Sequence, residues 1–469
     1  MRTISLCFRR ALTGALLLIV PLASGTAQRP TRLVLQKTVD SLVANALTEG
    51  PVAGMSVAVV RGRDTVVMKG YGFADVENDV RATPLTVYRI GSITKQFTAA
   101  DVLRLVEEGK LSLDDSIGKH LSTLPAAWRG VTIRQLLNHT SGIPSYTGAG
   151  PRWATKMRLD LPHDTLIGIV ANDPLDFPVG SAWRYNNSGY YLLGMLIERV
   201  TGHPYGEDLR DRFFAPLGLK GTIYCDAQPI IKHRAQGYIA GPNRALLNAD
   251  PLSMSQPFSA GSLCSTVGDL VAWQRALAAG RVVKPASYVA MTTPEGAATG
   301  AHYGYGLGRD TLSGHQRVQH NGGINGFNSV LTFFPDDSLS IAVLGNTNGP
   351  FVDRVADNIA RAALGLKLVS PPPRARDLPT TAEQRARYAG TYLLALPDGK
   401  TLELRVFERD GKLISQATGQ PEFALMFQGN DSFAPSFDPT ARLTFGPGSP
   451  ASRVTLVQGG GTVVGERVR

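Results

Sequence analysis

Residues 327–346 read FNSVLTFFPDDSLSIAVLGN, two β-rich runs folded back on each other at Pro335-Asp336-Asp337. A matching pattern lies far upstream in GMSVAVVRGRDTVVMKGYG, residues 54–72, where Met55 to Val60 and Thr65 to Lys69 flank a turn at Gly62. Between the two hairpins, from Ser92 to about Phe214, apolar residues recur at helical spacing, interrupted by loops rich in Pro and Gly. Strands at both ends with helices between them predict an α+β domain: one antiparallel sheet built from the two ends of the segment, flanked by helices and carrying an all-helical subdomain. A helix is also expected before the first hairpin, from Leu33 to Leu47, where Leu35, Val39, Leu42, Val43 and Ala46 share one side.

Outward from this unit the pattern changes at both ends. LVSPPPRARDLPTT, residues 368–381, has three successive prolines and no apolar period, which marks a stiff linker. Beyond it, short alternating runs recur at Thr401 to Val406, Lys412 to Ala417, Phe423 to Phe427, Arg442 to Phe445 and Arg453 to Val457, the pattern of a small all-β, barrel-like domain. At the other end, Arg2, Arg9 and Arg10 precede an apolar stretch from Ala11 to Leu22 and small residues at Gly25 and Ala27, the layout of a secretory signal. That stretch is too short to span a bilayer comfortably, so no stable membrane insertion is expected once the signal is removed. The expected organisation is a signal at 1–27, a first domain at 28–368, a linker at 369–384 and a β domain at 385–469.

The chain of 469 residues carries a formal charge of +10, which falls to about +7 if the three signal arginines leave. The remaining basic residues are scattered and not interleaved with aromatics, which argues against a nucleic-acid partner. There is no His-Glu-x-x-His and no cluster of Cys and His, so no catalytic metal or other cofactor is expected. Gly-x-Ser-x-Gly is absent as well.

Chemistry enters at YRIGSITKQFTAADVL, residues 88–103. Ser92 and Lys95 stand three apart at the start of an apolar helical pattern that ends at Gly109. Residues at that spacing are neighbours on a helix, so the Lys95 amine can reach the Ser92 hydroxyl. A free lysine titrates near ~10.4, and burial near the positive end of a helix lowers that value toward a usable base. A second Ser-x-x-Lys, Ser116 to Lys119, contains Gly118, which weakens a helix, and has Asp114 and Asp115 beside it to keep Lys119 charged. Two further stretches attract attention. Tyr185 and Asn187 lie in a polar loop just before a helix, and His320 precedes Gly322 and Gly323 at the edge of the second hairpin, where paired glycines let a backbone approach a ligand closely. Taken singly, the first stretch reads better as a satisfied loop tyrosine, and a turn histidine with no chemical role explains the second as well as a site does.

Together and in this order, the three stretches resemble the penicillin-recognising serine hydrolases, the superfamily of class C β-lactamases, DD-peptidases, D-aminopeptidases and β-lactamase-like esterases. LLNHTSGIP from Leu136, SAGSLCSTVGDLVAW from Ser259 and YGYGLG from Tyr303 resemble the family too, and the likeness extends over about residues 35–365. The resemblance implies an acyl-enzyme on Ser92 with Lys95 as base, Tyr185 as proton shuttle, and Asn187 orienting Lys95 or binding substrate. It also implies an oxyanion hole formed by the N–H groups of Ser92 and Gly323. The third motif departs from the Lys-Thr-Gly usual in β-lactamases, reading His320-Asn321-Gly322, which favours esterase or D-peptidase activity over efficient antibiotic hydrolysis. The expected partner is a small-molecule or peptide substrate, and the alternative is an inactive relative that binds peptides or acyl groups. YAGTYLL from Tyr388 and DGKLISQATGQ resemble a lipocalin-like domain often appended to such hydrolases. Cys225 and Cys264 are the cysteines left after the signal, and in a periplasmic or extracellular setting they are expected to form a disulfide.

Overall fold

The two hairpins meet in the middle of one sheet. In the computed structural model, which describes residues 30–241, 245–370, 376–395, 401–418, 422–436, 441–458 and 461–468, the Gly54–Arg61 strand pairs antiparallel with Leu339–Gly345, Met55 opposite Gly345 and Arg61 opposite Leu339. The expected signal segment and residues 371–375 of the expected linker lie outside the described residues. The antiparallel sheet runs in the order Val80–Arg81, Asp64–Asp75, Gly54–Arg61, Leu339–Gly345, Phe327–Phe334, His315–Ile324, Gly308–Leu312. Both faces are covered, which is why the central strands read as nearly continuous apolar runs. Val57, Val59, Ile341 and Val343 pack against Leu35, Val39 and Val43 of the Arg32–Glu49 helix and against Val355 and Ile359 of the Phe351–Leu364 helix. Ala58, Ala342 and Leu344 face the opposite way, into the core shared with the helical region.

His320 and its glycines belong to a ten-residue strand, His315–Ile324, and not to a turn. Strand Gly308–Leu312 accompanies it only as far as the Gln319–Gly308 pair. From His320 onward that edge has no strand neighbour among the described residues, while the other edge stays paired, Gly322 opposite Ser329 and Gly323 opposite Asn328.

The C-terminal region is a closed eight-stranded barrel, its first strand Gly390–Ala395 bonded both to Thr401–Arg409 and to the last strand, Gly461–Arg467. Side chains including Tyr392, Leu404, Leu413, Phe433 and Phe445 fill its interior. Tyr388 joins them from a helix, Ala382–Tyr388, that begins inside the expected linker. A reciprocal cap between Thr381 and Gln384 starts that helix, a signal present in the sequence as Thr-x-x-Gln.

Candidate active site

Ser92 sits in a single 3-10 turn, Gly91–Ile93, that leads into the Thr94–Glu107 helix. Two glycines press this turn against the His315–Ile324 strand. A Cβ on Gly322 would lie 2.1 Å from the Ile90 carbonyl oxygen and 3.0 Å from Ser92 N, and one on Gly91 would lie 3.0 Å from Gly323 N. Gly91 also has φ +50°, which side chains rarely adopt. The interlock brings the backbone of Ser92 beside that of Gly323, and both line a cavity of about 220 Å³.

Lys95 is fully buried. Its Nζ lies 2.8 Å from the Ala260 carbonyl oxygen, 2.9 Å from Asn187 Oδ1 and 3.2 Å from Ser92 Oγ. Desolvation holds its pKa well below the ordinary lysine value, and among the described residues no carboxylate forms an ion pair with it. The Tyr185 and Tyr190 rings, 4.7 and 5.4 Å from Nζ, favour the cation modestly and do not offset full burial. In the neutral amine, two N–H groups serve the two carbonyl-type oxygens, which can only accept. The lone pair is then left for the Ser92 O–H. Lys119 has the opposite environment: its exposed ammonium pairs with Asp115 at 2.7 Å. Contrary to expectation, Gly118 does not interrupt that segment; it lies within the single helical turn Ile117–His120.

Asn187 is the first residue of the Asn187–Thr201 helix, capped by the Asn186 side chain, which accepts from Gly189 N–H. Asn187 Nδ2 donates to Thr147 Oγ1 at 3.0 Å and its backbone N–H to Ser145 Oγ at 3.2 Å, which turns Oδ1 toward Lys95. The Tyr185 hydroxyl is buried without a full hydrogen bond. Burial raises its pKa, and the Ser92 side chain is the group near enough to pull the other way. At neutral pH Tyr185 is therefore a phenol, able to donate a proton.

His320 is buried and neutral. Desolvation lowers its pKa to about 4. Its Nδ1 faces the Asn321 carbonyl and carries the proton, so Nε2 accepts from the Tyr303 hydroxyl at 2.9 Å. Sequence reasoning assigned no role to His139, Tyr303 or Ala260. His139 has φ +62°, accepts from Asn186 N–H at Nδ1, and sets its ring 4.5 Å from that of Tyr185 and 4.8 Å from that of Tyr303. It packs the tyrosines into place. Each of these residues lies in a quoted family phrase, which was the available signal.

Cys225 and Cys264 are joined by a disulfide, Cα atoms 5.2 Å apart. It ties the Ile223–Tyr224 strand to Leu263–Ser265, the segment just after Ala260. Leu263 N–H in turn donates to Thr94 Oγ1 at the start of the Lys95 helix.

Comparison with known proteins gives a consistent picture. The profile of the Beta-lactamase family matches residues 39–366. Among curated relatives, Protein flp of Staphylococcus aureus (strain MW2) is 29% identical over 69% of this chain and 66% of its own length, so the match spans just under two thirds of that protein. Among solved structures, a D-stereospecific amidohydrolase from Streptomyces sp. is 30% identical with a TM-score of 0.59, covering 70% of this chain and 98% of its own. The octameric penicillin-binding protein homologue from Pyrococcus abyssi is 25% identical with a TM-score of 0.63, covering 92% of this chain and 99% of its own. The fold and the family match over residues 39–366 agree: this chain belongs to the Beta-lactamase family.

Proposed function

We propose that the protein is an exported serine hydrolase that cleaves ester or amide bonds of small or D-amino-acid-type substrates through an acyl-enzyme on Ser92. The observation that carries this reading is the fully buried Lys95, its Nζ 3.2 Å from Ser92 Oγ and its pKa held well below the ordinary lysine value by desolvation. Lys95 takes the Ser92 proton as Oγ attacks the substrate carbonyl, and the oxyanion is received by the N–H groups of Ser92 and Gly323. Each such donor is worth ~3–4 kcal/mol at the transition state. The Lys95 proton passes by way of Tyr185 to the departing oxygen or nitrogen, and the same pair then activates the water that releases the acyl group.

Amide and ester substrates suit the third motif better than β-lactams do. His320 is neutral, and the Asn321 amide is bonded to Asp353, so neither offers a cation to a substrate carboxylate. The Streptomyces neighbour, described as a D-stereospecific amidohydrolase, supports the same preference. The disulfide supports work in an oxidising compartment, periplasmic or extracellular. Among the described residues no helix is long and apolar enough to cross a membrane.

The test is fluorophosphonate labelling read by peptide mass spectrometry, beside turnover of p-nitrophenyl acyl esters, D-amino-acid amides and nitrocefin. Labelling at Ser92 with ester or amide turnover exceeding nitrocefin turnover is expected. An unlabelled Ser92 and no turnover would overturn the reading in favour of a binding protein.

A further inference from the structure

The cavity of about 220 Å³ that holds Ser92 and Gly323 is walled by Tyr146, Trp153, Leu252 and Ile324. We propose that it is the acyl subsite, that it selects an uncharged acyl group carrying one ring and rejects an α-ammonium beside the scissile carbonyl, and that Trp153 sets this preference; this rests on the Ser92 acyl-enzyme reading.

Two of the walls are aromatic side chains whose polar tips are already used. The Tyr146 hydroxyl donates to the Gln256 carbonyl oxygen at 2.6 Å, and Trp153 Nε1 donates to Gln256 Oε1 at 3.0 Å. Gln256 is fully buried, and its own amide donates to the Leu159 carbonyl oxygen at 2.7 Å. One residue thus fixes both rings, their centres 6.1 Å apart and their planes at 70°, and leaves ring carbon as the surface they can offer a ligand. Trp153 is only half-buried, so its ring has apolar area still to cover. An apolar cavity of ~150 Å³ takes one benzene ring. The space beside Ser92 therefore fits one ring and a short link to the scissile carbonyl.

Charge is the second discriminant. Among the described residues the lining includes no carboxylate to meet an ammonium group. The acidic residues of the loops that supply the walls are turned to other partners. Asp250 pairs with Arg158 at 2.6 Å, and Asp160 accepts from the Ser253 hydroxyl. The amides in the lining are engaged as well. Asn187 is held between Lys95 and Thr147, and Asn325 Nδ2 donates to the Asp250 carbonyl oxygen at 3.1 Å. An ammonium brought into this cavity gives up water and gains no counter-charge, which is costly. A ring without charge gives up nothing of the kind and buries apolar surface. The same ring on an acyl chain is thus welcome without an α-ammonium and disfavoured with one.

The experiment compares methyl 3-phenylpropanoate with D-phenylalanine methyl ester on the full chain, following the released acids by chromatography. The two share ring, chain and leaving group and differ by the α-ammonium. An ammonium makes its neighbouring carbonyl more electrophilic, so intrinsic reactivity favours the charged ester. At about pH 6 the uncharged ester should nonetheless have a kcat/KM about tenfold or more above the other, and the gap should narrow several-fold by about pH 9, where the amine is free. The enzyme's own pH dependence cancels in this ratio. Trp153→Ala should lower kcat/KM for methyl 3-phenylpropanoate about tenfold more than for methyl propanoate, and Trp153→Phe should restore most of that difference. A ratio near one at pH 6, a ratio that ignores pH, or equal losses on both neutral esters in Trp153→Ala overturns the subsite. An enzyme that labels at Ser92 but hydrolyses neither phenyl ester refutes the subsite alone. Failure to label and to hydrolyse any of the esters refutes the acyl-enzyme reading, and the subsite falls with it.

Discussion

Replacing Asn187 with Asp puts a carboxylate where an amide oxygen now stands 2.9 Å from Lys95 Nζ. The change is isosteric, so what it alters is charge. Burial alone opposes the Lys95 ammonium, and that burial is complete. A unit charge at this distance acts with about 6 kcal/mol at an effective dielectric constant of about 20. Desolvating the new carboxylate offsets part of this, and half, about 3 kcal/mol, corresponds to a ~100-fold preference for a protonated pair. In the wild type the folded-state pKa of Lys95 is depressed, so the amine is a free base at pH values where an unfolded lysine is charged. In Asn187→Asp the pair keeps a proton, and whether it sits on nitrogen or oxygen, the lone pair facing Ser92 is lost. At neutral pH, kcat/KM for a p-nitrophenyl ester should fall ~100-fold, then recover as pH rises, with the acid limb displaced upward. Asn187→Ala removes the acceptor without adding charge and should not displace that limb upward. An Asn187→Asp enzyme with the wild-type acid limb would refute Lys95 as the base.

Ser92→Ala should abolish turnover and fluorophosphonate labelling while Ser116→Ala changes neither, and comparable losses in both would sink the assignment. Tyr185→Phe should slow turnover by at least ~100-fold and alter the pH–rate profile; an unchanged profile would make Tyr185 a packing residue. Asp101 is fully buried beside Asp208, with Arg212 Nε 3.5 Å from its Oδ1, and burial followed by the Asp208 charge raises its pKa well above the usual carboxylate range. A raised folded-state pKa means stability is lost as pH climbs from the unfolded value toward the folded one. Asp101→Asn should therefore raise the melting temperature at neutral pH by an amount that shrinks in acid, and the absence of any pH dependence in that gain would contradict the shift. Replacing Cys225 and Cys264 by Ser opens a loop with a sequence separation of 39. It should lower unfolding stability by about 4 kcal/mol in the chain-entropy model, measured by urea denaturation without reductant, and an unchanged midpoint would count against the bridge.

What could be read in advance was what local spacing records. The Gly54–Arg61 and Leu339–Gly345 strands announce themselves because both their faces are buried, and the Ser92–Lys95 pair because its helix is apolar around it. His315–Ile324 did not, since QHNGGI carries little strand propensity; the strand exists because pairing with Phe327–Phe334 holds it, and its glycines serve the Ser92 turn. The contacts that hold Lys95 show the limit most sharply. One acceptor comes from Asn187, which a motif marks, and the other from Ala260, 165 residues away, through a main-chain carbonyl. Every residue type offers that carbonyl, so side-chain identity at that position says nothing of the bond. Part of what holds this buried amine beside Ser92 is thus written in backbone path alone, and the disulfide and the Leu263–Thr94 hydrogen bond beside Ala260 hold that path in place.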